Sequence, residues 1–340
     1  MSAVEGVAPE ANAGRKMPPG VLFEGPVVDA KFLDSYIAFG LMVGGSIAAL
    51  VWAFTTGIGW IEIWVFVGMF VLSTIGIGFM HRYFVHRSFR CGPVMRAILA
   101  AIATMAVQGS VLKWVSNHRR HHHYSDRPGD VHSPYYDGDG NRIASFAKGM
   151  IHAQGGWVWD QATTDAEYYA RDILADPISM FFTRTRWYWY AISAVLIPGV
   201  IGYALGGVHA MIGCVLFSGL FRSYIMTMAT SLVNSVCHSD GRWGYRRFET
   251  GDGTTNELVT TILTFGEGLH NNHHRFPRDA YLSHAWYEID INGLIILALG
   301  KLGLVHDIFA PVRPATGAGP AAIESPLDGA GEDLGSSGAR

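Results

Sequence analysis

The stretch "YIAFGLMVGGSIAALVWAFTTGIGWIEIWVFVGMFVLSTIGIGFM", residues 36–80, contains a single charged residue, Glu62. A transmembrane helix needs about 20 predominantly apolar residues, so this stretch is long enough to cross a bilayer twice. Its break, "TTGIGW" at residues 55–60, has room for a tight hairpin and nothing larger. The stretch therefore predicts two membrane spans, roughly residues 36–56 and 60–80, joined by a short turn.

A second apolar stretch repeats this arrangement further along the chain. Residues 187–221 carry no Asp, Glu, Lys or Arg and are interrupted only by "GYALGGVH" at 202–209. They predict two further spans, roughly 187–206 and 209–233. Residues 97–112 are also uncharged, but they are few for a full crossing and favour an interfacial or re-entrant segment. The predicted fold is an all-α integral membrane protein with four transmembrane helices, in two hairpins, and a helical cap.

Basic residues predict which side of the membrane the cap faces. The tips of both hairpins lack Lys and Arg, whereas residues 82–127 carry eight of them. Because cytoplasmic loops are enriched in Lys and Arg, we expect both termini, the middle segment and everything after the fourth span to face the cytoplasm. The run "TRTRWYWY" at 183–190 is typical of an aromatic interface belt at the start of a span.

The overall composition supports a membrane domain and argues against other classes. Charged residues make up 16% of the 340-residue chain, below the roughly 25% of soluble domains. A net charge of −3 without a long basic run gives no reason to expect a nucleic-acid partner. Three scattered cysteines predict no disulfide framework. The membrane domain is predicted over residues 31–310, with disordered segments at 1–30 and 311–340 and no cleaved signal peptide.

Nine of the fifteen histidines follow a pattern of spacing. They are His81, His86, His118, His121, His122, His238, His270, His273 and His274. If residues 97–112 do not cross the bilayer, all nine emerge on one membrane face. The other six are interpreted as ordinary surface or hydrogen-bonded residues; they are His123, His132, His152, His209, His284 and His306.

The spacing within each cluster predicts a metal centre. Positions i, i+3 and i+4 lie on one face of an α-helix, so each "HxxHH" offers three imidazoles to one place. His81 and His86 are about 140° apart on an ideal helix; they could share one ion if the helix ended between them, or serve two neighbouring ions. Nine donors exceed what one ion can hold, which indicates a dinuclear centre. Imidazole suits Zn, Cu, Fe and Ni, so the donors alone do not identify the metal.

Four stretches taken together resemble the histidine boxes of the membrane-bound fatty acyl desaturases. They are "HRYFVHR" at 81–87, "WVSNHRRHHHYSD" at 114–126, "NSVCH" at 234–238 and "GEGLHNNHHRFP" at 266–277. The H-x4-H first box is similar to that of the Δ9 group, which includes stearoyl-CoA desaturase. The resemblance covers roughly residues 30–305. It implies a four-span bundle whose nine histidines hold two iron ions at the cytoplasmic edge, with Asn234 reaching one ion through water.

The resemblance also implies an activity. Taking hydrogens from an unactivated methylene needs an oxidant that no side chain provides and that zinc, which has no redox chemistry, cannot provide. The family uses two irons, O2, two electrons and two protons to give a cis alkene, here expected near the middle of the chain and at Δ9, and water. The expected substrate is an acyl-CoA or acyl-lipid, although an acyl-carrier protein stays open. Ser231 stands where the family often has Trp, a difference expected to reshape the substrate channel that sets chain length and position of attack.

Electrons are expected from a separate ferredoxin, rubredoxin or cytochrome-type protein, because the chain has neither a CxxC pair nor a GxGxxG after a strand. A hydroxylase on the same di-iron scaffold is the alternative function, since it needs the same ligands. A membrane metal transporter is a more distant alternative, because the predicted spans are nearly free of ligand residues.

Further residues are candidates for supporting roles. Trp114 and Thr230 are predicted to line the bend of an acyl channel, and Asp126, Asp130 and Glu267 to orient histidine ligands. Three arginines are interleaved with the boxes and could meet a phosphate-bearing head group, the electron donor or the lipid head-group plane; they are Arg119, Arg120 and Arg275. Arg222 lies within the fourth predicted span, where a charge is costly and often functional. The structural alternatives are an interior partner or a path to the interface.

Overall fold

The computed structural model describes residues 18–310, which are mostly helical. Residues 1–17 and 311–340 hold most of the predicted N-terminal disordered segment and all of the predicted C-terminal one, and they lie outside the described residues. Residues 18–30 contain a short strand and the first turn of a helix. The strand is held because it pairs with residues 163–164, and the helix begins at Pro26, a residue favoured in a first turn.

The described α-helices are α1 Pro26–Thr56, α2 Trp60–Phe79, α3 Pro93–Met105, α4 Val111–Tyr124, α5 Phe146–Gln154, α6 Ala166–Tyr169, α7 Arg171–Leu174, α8 Pro177–Arg184, α9 Arg186–Ala191, α10 Ile197–Gly213, α11 Arg222–Ser235, α12 Leu258–Leu263, α13 His270–Arg275 and α14 Ile291–Lys301. Wider π-helical turns occupy Met80–Val85, Ile192–Leu196 and Cys214–Phe221, and 3₁₀ turns occupy Gly156–Trp159 and Val236–His238. The strands β1 Val21–Leu22 and β2 Thr163–Thr164 form one antiparallel pair.

Three continuous helical runs are long and apolar enough to cross a membrane: Pro26–Thr56, Trp60–Val85 and Arg186–His238. The first two are joined by the predicted tight turn, where Gly57 takes φ 82°. Because α1 starts at Pro26, the first run is longer than the predicted 36–56. The third run has 53 residues and combines the predicted spans three and four.

The third run is interrupted where the turn was predicted. Gly206 and Gly207 leave the helical conformation, and Gly207 has φ 69°, which favours glycine. On the two sides of this break the helices lie against each other, because a Cβ atom on Gly219 would be 1.8 Å from the Ala194 carbonyl oxygen. The run is therefore a helical hairpin rather than one straight rod.

Helix α3 lies within the stretch whose crossing was in question. At 13 residues it falls short of the roughly 20 that a crossing needs. Its buried face, which includes Leu99, Ala100 and Ala103, packs into the largest hydrophobic core together with Phe79 and Val115. This helix thus covers the end of α2 and positions the segment that leads into α4.

Arg222 finds its partners inside the bundle. The side chain is fully buried, and its Nη1 and Nη2 atoms donate to the hydroxyls of Ser73 at 2.7 Å and Ser193 at 3.0 Å. Its Nε donates to the Ser218 carbonyl oxygen at 3.3 Å. Of the two sequence-based alternatives, the interior partner is therefore correct, and Arg222 ties three helical segments together through hydroxyl groups.

Candidate metal centre

The nine histidines of the sequence pattern converge into two adjacent groups. The five-histidine group consists of His81, His86, His118, His122 and His273, and the four-histidine group consists of His121, His238, His270 and His274. Within each group the candidate ligand atoms lie within 4.8 Å of one another. The groups touch, because the rings of His122 and His274 stack at 4.5 Å between centroids.

Each "HxxHH" box divides its histidines between the two groups. Helix α4 gives His118 and His122 to the five-histidine group and His121 to the other. Helix α13 gives His270 and His274 to the four-histidine group and His273 to the five-histidine group. The expectation that a box serves one place was therefore too simple. On a helix, residue i+4 lies about 40° to one side of residue i and residue i+3 about 60° to the other, so the i+3 ring points to the neighbouring group.

The first box enters one group because the chain leaves α-helical geometry there. His81 and His86 lie at the π-helical turn Met80–Val85, where the His86 amide donates to the His81 carbonyl oxygen at 3.2 Å. This i→i+5 bond widens the turn, so residues five apart lie closer to one face than they would on an α-helix, and the two rings come to 4.8 Å between centroids. The sequence left open whether His81 and His86 serve one ion or two. The structure places both in one group, and the helix widens at this point instead of ending.

The spacing of ring nitrogens suits bound metal ions. In the five-histidine group the Nε2 atom of His273 lies 3.0 Å from that of His81 and 2.9 Å from that of His122. In the four-histidine group the Nε2 atom of His270 lies 3.1 Å from that of His238 and 3.0 Å from that of His274. If two imidazole nitrogens bind one ion at about 2.1 Å and at right angles to each other, the two nitrogens lie about 3.0 Å apart. The Nε2 atom of His86 is buried and has no hydrogen-bond partner among the described residues. This is what is expected of a ligand atom that faces an ion.

Four carboxylates fix the orientation of the imidazoles from behind. Each accepts a hydrogen bond from a histidine Nδ1: Glu267 from His81 at 2.5 Å, Asp126 from His238 at 2.8 Å, Asp130 from His121 at 2.9 Å and Asp252 from His274 at 2.7 Å. A proton held on Nδ1 leaves the Nε2 lone pair facing the group. Three of the carboxylates were candidates from the sequence. Asp252 was missed because its position, 22 residues before His274, has no helical relation to any box.

Burial keeps the imidazoles of His118, His122 and His273 neutral, which is the form that binds metal. Burial and then the neighbouring imidazoles hold the pKa of His118, His122 and His273 well below the ordinary value. Burial alone would raise the pKa of Glu267, but the Arg82 guanidinium and His81 outweigh it and lower that pKa to about 2. The carboxylate behind His81 is therefore ionised throughout the physiological range.

The two asparagines of "HNNHH" anchor the short helix α13. The Asn271 Oδ1 accepts from the amides of Arg247 and Phe248, both at 2.8 Å. The Asn272 Nδ2 donates to the Glu288 carboxylate and to the Leu282 carbonyl oxygen, both at 2.9 Å. Both side chains are fully buried on the side away from the imidazoles. Sequence reasoning assigned them no role, although two buried amides between ligands are a signal of such anchoring.

A cavity of about 240 Å³ opens beside the five-histidine group. Its lining includes His118, Trp114, Asn234, Thr230 and Ser231. The Trp114 indole stacks on the His118 ring, with centroids 4.9 Å apart and planes 15° apart. The structure thus brings both predicted channel residues, and the asparagine expected to reach a metal through water, into the lining of one cavity.

Two of the interleaved arginines are used inside the protein. Arg119 donates to the carbonyl oxygens of Phe84 and Val85, both at 3.1 Å, and to the Asp172 carboxylate at 2.5 Å. Arg120 is 1% exposed and donates to the Gly129 carbonyl oxygen at 2.8 Å. The burial of Arg120 excludes contact with a head group, an electron donor or the lipid plane for that residue. For Arg119, which is partly exposed, the structure adds a second role, because its donors hold α4 to its neighbours.

Arg275 and the six remaining histidines lie outside the two groups. The Arg275 guanidinium lies over the Phe276 ring. His132 differs from an ordinary histidine, because its buried ring lies 4.3 Å from His121 and forms a further potential ligand cluster with His121 and Asp130. His152 bonds to Asp160 at 2.8 Å, and His209 packs on Trp52.

Comparisons with known proteins agree with this arrangement. A family model described as fatty acid desaturase matches residues 35–291. The hex-5-enoyl-[acyl-carrier protein] acetylenase of Moorena producens (strain JHB) is 36% identical over 271 residues, covering 78% of this chain and 83% of that protein. The sn-1 stearoyl-lipid 9-desaturase of Anabaena variabilis is 30% identical over 283 residues, covering 82% and 93%. The acyl-CoA C20 Delta5-desaturase of Anemone leveillei is 31% identical over 278 residues, covering 80% and 81%.

Proposed function

The chain belongs to the fatty acid desaturase family and is an oxidoreductase of the fatty acyl desaturase class, and from this we propose that it introduces a cis double bond at Δ9 into a saturated acyl chain. The observation that carries the proposal is the division of nine imidazoles into two touching groups beside an apolar cavity. Two neighbouring ion sites at the wall of a cavity suit an oxidation that removes two hydrogens from adjacent carbons.

We assign one iron ion to each histidine group, with Asn234 reaching one of them through water. Bound there, two irons would supply the redox chemistry that activates O2, which histidine alone cannot provide. The carboxylates Glu267, Asp126, Asp130 and Asp252 keep the Nδ1 protons in place and so hold the Nε2 atoms ready. Because burial lowers the pKa of His118, His122 and His273, these three ligands have no proton to release when metal binds.

The chain's contribution to selectivity is positioning. An acyl chain in the cavity would pass the lining residues Trp114, His118, Thr230 and Ser231. The indole, which stacks on the His118 ring, is proposed to limit how closely the carbons of the chain approach the metal centre. Ser231 leaves space that a larger side chain would fill, so this position is proposed to set which carbons are reached.

The outer part of the cavity suits a phosphate-bearing acyl carrier. Lys113 and Arg186 line it, with Asp34 as the acidic residue that pairs with Arg186. A neighbouring cavity of about 190 Å³ shares these three residues and adds Lys31. The relatives are named for carrier-protein, lipid and CoA substrates. An acyl-CoA or acyl-lipid is proposed here, with electrons delivered by a separate ferredoxin, rubredoxin or cytochrome-type protein.

We place the chain in the bilayer as four transmembrane helices. A straight helix of 53 residues would be about 80 Å long, far more than the roughly 30 Å hydrocarbon core. The break at Gly206–Gly207 supports two crossings instead of one. The excess of Lys and Arg in residues 82–127 supports a cytoplasmic position for the termini and the metal centre.

The test is expression in a host that lacks its own desaturase, followed by mass spectrometry of its acyl chains. Desaturation removes the mass of two hydrogens, and the position of the new double bond checks Δ9. Product carrying one additional oxygen would instead establish the hydroxylase alternative. His273→Ala should abolish the product, and full activity in that variant would contradict the ligand assignment.

A further inference from the structure

Helix α12 has its polar and apolar sides reversed relative to a helix on a water-soluble surface. Leu258, Val259 and Ile262 are more than half exposed, with fractions of 61%, 58% and 53%. Thr261 and Thr264 are buried, and each hydroxyl donates to a carbonyl oxygen one turn earlier, at 2.6 Å. A helix facing water normally presents the opposite pattern, so the outer side of α12 suits an apolar surrounding.

A second apolar segment lies beside α12 although it follows much later in the chain. Trp286 is 95% exposed, and Ile289 and Leu294 are about half exposed. This segment is fastened to the end of α12, because the Asn292 amide donates to the Phe265 carbonyl oxygen at 2.9 Å. We call the six exposed side chains the apolar face of the cap; they are Leu258, Val259, Ile262, Trp286, Ile289 and Leu294.

The apolar face adjoins the helices that cross the membrane. Helix α12 packs against α11, and α14 packs against α2. The second contact is close, because a Cβ atom on Gly78 would lie 2.4 Å from the Asn292 side chain. The face therefore continues the lipid-contacting surface of two membrane runs. A protein partner that covered the apolar face would have to bind beside lipid on the same continuous surface.

We infer that the apolar face of the cap is inserted into the membrane leaflet nearest the metal centre. Its occupant is lipid: the aliphatic side chains meet acyl chains, and Trp286 sits at the head-group level, where indoles are enriched. Beside it, Arg247 donates to the Tyr287 hydroxyl at 2.8 Å, an aromatic and basic pair typical of that level. The inference rests on the proposed membrane crossings, but it adds a contact that lies outside them.

Insertion would fix the depth of the third histidine box. Only the segment 264–269 separates α12 from His270, and within it Gly266 fits against Asp290 so closely that a Cβ would lie 2.3 Å from the carboxylate. A rigid connection of this kind transmits the position of α12 to α13. The lipid contact would thus hold the metal centre at a set height relative to the acyl substrate.

The test uses the full-length protein in phosphatidylcholine vesicles. In a Cys91→Ser background, which leaves two buried cysteines, one cysteine labelled with an NBD fluorophore is placed at Ile262→Cys or Trp286→Cys. Arg127→Cys, exposed on the cap, is the aqueous reference, and Val200→Cys in α10 is the membrane reference. We expect lipid carrying a nitroxide at acyl carbon 5 to quench residues 262 and 286, and iodide to quench them at least about three-fold less than residue 127.

Each other outcome has a defined meaning. Iodide quenching at 262 as strong as at 127 would overturn the inference. Protection from both quenchers, together with a doubled particle mass in detergent, would overturn it in favour of a second copy of the chain. If the nitroxide lipid quenches neither residue 200 nor residue 262, the proposed membrane crossings are wrong. If it quenches residue 200 but not residue 262, only the inference about the apolar face is wrong. Unchanged circular dichroism and elution would show that each labelled variant is folded.

Discussion

The two histidine groups differ in what surrounds them more than in their ligands. The five-histidine group has one carboxylate hydrogen-bonded to a ring nitrogen, Glu267, among the described residues, and Arg82 pairs with it at 2.9 Å. The four-histidine group has three such carboxylates, Asp126, Asp130 and Asp252. Only the five-histidine group lines the described cavity, through His118.

This difference indicates a division of labour between two otherwise similar sites. Negative charge behind imidazole ligands makes them stronger donors and stabilises a more highly charged ion. We therefore expect the four-histidine group to stabilise a more highly charged ion than the five-histidine group does. The five-histidine group, whose one carboxylate is paired with Arg82, is the group that lines the described cavity. The predictions below test this contrast.

The largest effect is expected from two adjacent substitutions that fall in different groups. His273→Ala and His274→Ala should each lower product formation by more than about 100-fold, since even residues behind metal ligands are worth about 10–100-fold. Each variant should lose one of two irons per chain, measured by elemental analysis and Mössbauer spectroscopy. His123→Ala, an exposed neighbour of the second box, is the control. Retention of both irons by either variant would contradict the assignment.

A smaller effect is expected from the carboxylates that hydrogen-bond to the histidine ligands. Glu267→Gln and Asp252→Asn should each weaken iron binding by about 10–100-fold, measured by competition with a chelator. We expect the larger loss for Glu267→Gln, because it removes the one carboxylate of its group, whereas Asp252→Asn leaves two in place. Asp240→Asn, whose side chain is 74% exposed, should leave iron binding unchanged. Equal losses in the first two variants would remove the proposed asymmetry.

A still smaller effect, of about 10-fold, is expected at the cavity wall. Ser231→Trp should lower the ratio of product from long acyl chains to product from short ones, because the indole occupies space beside the five-histidine group. The measurement is product distribution from mixed acyl substrates. Ser231→Ala, which leaves the volume almost unchanged, is the matched control. An unchanged distribution in the tryptophan variant would place the acyl chain elsewhere.

The smallest effect concerns the support of the five-histidine group. Burial alone would raise the pKa of Asp172, but hydrogen bonds from Arg119 and Arg87 outweigh it and lower that pKa to about 2. Discounted for partial exposure, the ionised carboxylate stabilises the fold by about 1 kcal/mol. Because the folded-state pKa is depressed, this contribution is present above about pH 4 and is lost as pH falls towards 2.

Urea unfolding of the protein in detergent at a series of pH values measures this contribution. Asp172→Asn should be about 1 kcal/mol less stable at pH 7, and the difference should close below about pH 4. Asp307→Asn, which breaks the exposed pair with Arg90, should change stability by less than about 0.5 kcal/mol. A difference for Asp172→Asn that does not depend on pH would show that packing, not charge, accounts for it.

Much of the fold could be predicted because membrane spans are a local property of the chain. The turns at residues 55–60 and 202–209 follow from glycine and from the lengths of the apolar runs on either side. The widening of the helix at His81–His86 could not be predicted, because nothing in "HRYFVH" distinguishes a π-helical from an α-helical turn. Asp252 was likewise missed, since its partner is chosen by how a loop folds over α13.

The sequence by itself determined that the chain carries apolar helices and nine clustered imidazoles, because hydrophobicity and helical spacing act between near neighbours along the chain. Only the tertiary structure decided which imidazoles share a group and which carboxylates stand behind them. His122 and His273, for example, meet at 2.9 Å across 151 positions of sequence. A distance of that kind is set by the packing of helices, which no local periodicity encodes.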